Sequence, residues 1–124
     1  MLAVAGCEDP KISEAKEAVG RKLKDASTAQ FRDMRICEQN GFVQGEVNAK
    51  NSFGAYAGFT PFVSRGRYSA YLDGPDAIDR EGYLAALRNC VSDEMWNRLY
   101  PDGTPPGMDP EFFRKMVAIL KPRT

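Results

Sequence analysis

The chain has 124 residues and no net charge, with 17 Lys plus Arg against 17 Asp plus Glu. That length fits one domain able to bury roughly two thirds of its unfolded surface, and 43% hydrophobic with 27% charged residues is the mix of a folded chain. Charge balance argues against a strongly basic nucleic-acid or membrane-surface domain, and the lack of histidine excludes Ser-His-Asp and Cys-His nucleophiles, His-ligated metals and imidazole proton shuttles.

The first residues, Met1-Leu2-Ala3-Val4-Ala5-Gly6, are apolar but far short of the ~18 residues of a membrane span. Val4-Ala5-Gly6-Cys7 resembles a bacterial lipobox, in which small residues let a peptidase grip the extended backbone and the cysteine then carries lipid. Polar Glu8-Asp9-Pro10 follows at once, as a mature N-terminus would. The basic part of such a signal and most of its apolar part are missing. Residues 1–9 therefore read as the remnant of a lipoprotein-type signal or as a flexible N-terminus, and 10–124 as a single domain.

Asp9-Pro10 is a helix start, with Asp as cap and Pro at the first helical position. Ile12, Ala15, Val19 and Leu23 recur at helical spacing, which predicts a helix over about 10–25, weakened at Gly20. Met34 and Ile36 share one face of a first strand, with Arg35 and Cys37 on the other. Asn40-Gly41 is the dipeptide of a tight hairpin turn, because both residues tolerate positive φ. Residues 42–48 predict a second strand and 56–63 a third, which Pro61 marks as an edge or a bulge. A fourth strand is predicted over 67–72, with Tyr68, Ala70 and Leu72 on one face. Tyr83, Leu84, Leu87, Cys90 and Val91 then have helical spacing, and Ser92 can cap a further helix carrying Met95, Trp96 and Leu99. Residues 101–107 hold three prolines and two glycines and predict a loop. Asp109-Pro110 repeats the earlier helix start, and Phe112, Phe113, Met116, Val117 and Leu120 follow as core residues. The expected fold is α+β: an N-terminal helix, an antiparallel meander of three to four strands, and C-terminal helices packed on one face.

Three cysteines are present. With Cys7 lipidated, Cys37 and Cys90 remain as a pair, and a bridge would close a loop of about 50 residues, worth roughly 4 kcal/mol of chain entropy. In a reducing compartment the same two residues are small buried hydrophobes. No CxxC spacing exists, and no metal or cofactor is expected.

The stretch from Asn48 to Tyr56 is the most distinctive in chemistry. Asn48, Lys50, Asn51, Phe53 and Tyr56 combine amides, an ammonium group and aromatic rings, with Gly54 and Gly58 allowing close backbone approach. Such a set suits a glycan, a peptide carboxylate or a partner loop. The same residue types also build turns, since Asn bonds its own backbone and Gly supplies unusual φ values. Glu46, Asp73, Asp76, Asp79 and Glu81 are carboxylates for a hydrolase without histidine, but no spacing fixes a pair about 5–9 Å apart. Arg65, Arg67 and Arg80 with Tyr68 and Tyr71 form a basic aromatic set that reads best as solvated strand faces.

Two segments resemble a known group. Residues 23–32, LKDASTAQFR, are similar to an LKDPxSAxFR pattern, and residues 45–59, GEVNAKNSFGAYAGF, to CGEVNxKNxxGGYxGF. Both patterns belong to small uncharacterised bacterial proteins, often exported or lipid-anchored and sometimes phage-associated. Ala26, Gln44 and Ala55 depart from the patterns, where proline, cysteine and glycine stand. The resemblance implies an envelope location and brings no activity. The expectation is thus a small bacterial or phage-encoded envelope or periplasmic protein, held at the membrane only through lipid on Cys7. It would bind another envelope protein or a cell-wall component, without nucleic acid and without catalysis. The alternatives are a soluble cytosolic accessory protein and a carboxylate-based hydrolase.

Overall fold

Two Asp-Pro pairs open the first and last helices. The computed structural model describes residues 8–50, 54–56, 58–73 and 77–122, the side chains of 77–79 excepted, so Cys7, Asn51, Ser52, Phe53, Asp76 and the Asp79 carboxylate lie outside the described residues. In α1 (Pro10–Gly20) the Asp9 carboxylate accepts from Lys11 N at 2.8 Å, and in α4 (Pro110–Leu120) Asp109 accepts from Phe112 N at 2.9 Å. Each cap satisfies an amide that the first helical turn leaves unpaired. The short α3 (Asp93–Leu99) is capped by Ser92 in the same way, and α2 (Ala77–Cys90) precedes it.

The first helix is shorter than its pattern. It stops at Gly20, the chain turns through Arg21 and Lys22, and Leu23 folds back against the cluster that holds Ala18 and Val19. A one-turn 3₁₀ segment (Ala26–Thr28) then leads into the sheet.

Four strands, β1 (Gln30–Ile36), β2 (Val43–Asn48), β3 (Thr60–Arg65) and β4 (Ser69–Leu72), form an antiparallel meander in the order β1-β2-β3-β4. The β1–β2 register shifts between Arg32 and Arg35, where Asp33 has a φ of 55°. That is a bulge, with Asp33 and Met34 of β1 facing Gly45 alone on β2. Asn40 and Gly41 do take positive φ, 61° and 66°. The loop is nevertheless four residues long, because Cys37 N bonds Phe42 O and the tip is drawn to the end of α2 by Gln39 N on Cys90 O and Asn40 Nδ2 on Asn89 O.

Pro61 corrects a second expectation. It lies in an interior strand, opposite Glu46 of β2. Its carbonyl faces the other neighbour and accepts from Asp73 N, just past the end of β4. A strand residue's N–H and C=O point the same way, so the missing N–H falls at the last rung of the β3–β4 ladder. The third strand starts at Thr60 rather than at Tyr56, since Gly58 takes a φ of 106°.

The sheet is covered on both faces. Ala18 and Val19 of α1 meet Val47, Phe62 and Ala70 on one side. On the other, Val63 packs with Leu84, Ala85, Trp96 and Phe113 from the C-terminal helices. The Trp96 ring stacks on Phe113 at 5.5 Å and donates its Nε1–H to Gly103 O at 3.0 Å, which gives a buried indole its hydrogen bond. Phe112, expected in the core, is turned outward and stays 46% exposed, because one α4 face cannot bury two adjacent rings. Buried Asn89 donates to Ala85 O and Val117 O and so ties α2 to α4. Cys37 and Cys90 form a disulfide with Cα atoms 5.0 Å apart, joining the end of β1 to the end of α2.

Candidate functional site

The described part of the loop after β2 is held by its own polar groups. Asn48 Oδ1 accepts from Gly58 N at 3.1 Å. Lys50 N donates to Thr28 Oγ1 at 3.0 Å, and the Tyr56 hydroxyl donates to Thr28 O at 3.0 Å. The Lys50 ammonium lies 5.8 Å from the Tyr56 ring centre, and the two residues form a single antiparallel bridge. Asn48, Lys50 and Tyr56 are thus brought together, but with the Asn48 amide oxygen and the Tyr56 hydroxyl engaged in fastening the loop to the turn before β1. Asn51 and Phe53 lie outside the described residues.

The arginines set out as a basic aromatic patch are dispersed. Arg65 donates to Leu120 O at the end of α4, and Arg67 pairs with Glu14 of α1. Tyr68 stacks on Arg21 instead, with its ring 4.9 Å from the guanidinium carbon, while Tyr71 is part-buried against Gly82.

The concave part of the molecule lies elsewhere. α2 sits mainly over β3 and β4 and reaches β2 less. Beside it two clefts open along the β1–β2 pair. The smaller, about 230 Å³, is lined by Arg35, Ile36, Gln44, Val91, Met95 and the Cys37–Cys90 disulfide. The larger, about 570 Å³, runs past Asp33, Glu46, Pro61 and Tyr83. Arg35 and Gln44 line both. With the Gln44 amide turned to satisfy its neighbours, its oxygen accepts from Arg35 Nε at 2.6 Å and Nη2 at 2.7 Å. The two side chains are cross-strand partners on β1 and β2, so the sheet itself sets this pairing.

Around the larger cleft the charges are arranged in a row. Arg32 binds Glu46 at 2.5 Å and covers the Phe59 ring at 3.8 Å. Glu46, Pro61 and Asp73 stand side by side across β2, β3 and the residue after β4. Tyr83 projects over them, and burial, then the Asp73, Tyr100 and Glu46 charges, push its hydroxyl pKa up to about 12. The Glu46 and Asp73 backbones are two strand spacings apart, roughly 10 Å by sheet geometry. Glu46 is committed to Arg32. Among the described residues no cluster of three or more His, Cys, Asp or Glu is placed to hold a metal, and no helix is long and apolar enough to cross a membrane.

Sequence reasoning missed Arg35, Gln44 and Met95 as site residues. The alternation of β1 places Arg35 and Cys37 on one face, which was the available signal. What brings α2 and α3 against that face is the long-range disulfide and the packing of Val63, which strand periodicity does not encode. No protein-family model, curated protein or solved structure matches the chain.

Proposed function

We propose that the chain is a non-catalytic binding module of the bacterial cell envelope, encoded by a bacterium or a phage, and anchored through lipid on Cys7. Its partner is another envelope protein or a cell-wall component, engaged through the clefts beside Arg35. The observation that carries this reading is the Cys37–Cys90 disulfide. Such bridges persist in oxidising compartments and are rare where glutathione keeps thiols reduced. The lipobox-like Val4-Ala5-Gly6-Cys7 and the likeness of residues 23–32 and 45–59 to exported bacterial proteins support the same location. The three carboxylates around the clefts, Asp33, Glu38 and Glu46, speak against nucleic acid as the partner.

The test is the intact mass of the protein made from its own locus, alkylated before and after reduction, with cell fractions analysed separately. Expected are acyl groups on Cys7, two thiols that react only after reduction, and recovery in the envelope fraction. Three freely alkylated thiols in the cytoplasmic fraction would refute the reading and leave a soluble accessory protein.

A further inference from the structure

We propose that the paired clefts bind the free carboxyl terminus of a protein chain whose last residue is a large apolar one. The inference deepens the reading above and rests on it. Its centre is Arg35, where the two clefts meet. Arg21, Arg32, Arg67, Arg88 and Arg98 each have a carboxylate partner. Arg35 has none among the described residues; its partner is the neutral Gln44 amide, which takes Nε and Nη2. A neutral acceptor orients the guanidinium plane without cancelling its charge. Nη1 is left for a ligand, and an oriented guanidinium is a strong receptor for a carboxylate.

The clefts on either side define the rest of the ligand. The smaller one is below the ~300–1,000 Å³ of a typical small-molecule site and fits a single side chain. Ile36 and Met95 there remain 39% and 41% exposed, beside Val91, the disulfide and the polar Glu38 and Ser92. At about 230 Å³ the cleft has room for a side chain much larger than a methyl group. It suits Leu, Ile, Val or Phe. The larger cleft gives the preceding residues a way out along β2. Extended chain advances about 3.3 Å per residue.

Charge narrows the choice further. Glu38 lines the smaller cleft, and Asp33 and Glu46 line the larger. Arg32 pairs with Glu46 and lies 3.9 Å from Asp33, so Arg35 is the cation left beside Glu38; the clefts carry no excess positive charge and accept a single carboxylate rather than a phosphate or a polyacidic segment. The residue before the terminus is therefore neutral or basic.

The experiment uses the oxidised full chain and nuclear magnetic resonance of the Arg35 Nε–H, the Gln44 amide and the Met95 methyl. The probes are N-acetyl-leucine, N-acetyl-phenylalanine and N-acetyl-leucinamide at millimolar concentration. Both acids are expected to shift all three signals saturably, with the amide about tenfold weaker or more. Arg35→Gln should bring the acid down to the affinity of the amide, and Met95→Asp should abolish both. Both residues are exposed, and a thermal melt of each variant checks that it folds. Equal binding of acid and amide, or no shift with any probe, overturns the proposal. Tighter binding of N-acetyl-D-alanyl-D-alanine overturns it too, in favour of a cell-wall stem peptide. An oxidised envelope protein that ignores the acids refutes this inference alone, whereas a reduced cytoplasmic protein refutes the reading beneath it.

Discussion

Ser64 sits in β3 on the face that packs against α1, and its buried hydroxyl has no hydrogen-bond partner among the described residues. A buried hydroxyl that makes no bond costs desolvation and returns nothing. Ser64→Ala is therefore expected to raise stability by about 1 kcal/mol in a urea titration, against the usual direction for a core substitution. Tyr83 offers a second single-residue test. Its hydroxyl is neutral when protonated, and burial holds it protonated up to about pH 12 against 10 for a free tyrosine. The folded state binds that proton more tightly than the unfolded one, so this contribution is complete below pH 10 and is lost as the pH rises from 10 to 12. Tyrosinate absorbance should show one late ionisation coupled to alkaline unfolding, and Tyr83→Phe should remove it. Neither residue announced itself in the sequence. Ser64 falls there between the predicted third and fourth strands, and Tyr83 is one member of an apolar helical stripe. Which atoms lie under them is a tertiary fact.

Gly45 shows how elements are fitted to one another. A Cβ at this position of β2 would lie 2.6 Å from Met34 Sδ and 3.1 Å from the Phe62 ring. Met34 can move, but Phe62 is fully buried. Gly45→Ala should cost about 1–3 kcal/mol, measured by chemical denaturation, as overpacking does. At the helix ends, Asp9→Ala and Asp109→Ala should each cost about 1 kcal/mol by the same measurement, because each removes the acceptor of a first-turn amide. Element by element, the pattern was legible where it is local. The caps at Asp9, Ser92 and Asp109 and the order of helix, meander and helices follow from cap chemistry and periodicity. The boundaries that moved did so for non-local reasons. The Asn40-Gly41 tip is drawn out into a longer loop by its bonds to α2, and Pro61 is tolerated inside the sheet because β4 is too short to ask for its missing N–H.

At the scale of the molecule, the Cys37–Cys90 link spans 53 positions of sequence. Loop-closure entropy for such a span is worth about 4 kcal/mol, so a Cys37→Ala, Cys90→Ala double variant should unfold at markedly lower denaturant, by up to that amount. The candidate site was the least legible part. Its floor comes from β1 and β2, its wall from α2 and α3, and its central pair, Arg35 and Gln44, is made by strand register. The sequence instead drew attention to the loop after β2, where concentrated Asn, Gly and Tyr mark loop-building chemistry as readily as binding.

The extra residue of β1 also governs how copies of this protein meet at high concentration. An outer strand that runs straight is a template on which a neighbour can zip its own backbone. Here the outer strand is interrupted at Asp33, with charges on either side at Arg32 and Arg35, and the opposite border, β4, offers only four residues. Neither border is long and flat enough to recruit a further strand. Crowded molecules should therefore remain separate rather than grow into cross-β fibres, and prolonged incubation with an amyloid dye should leave its fluorescence at baseline.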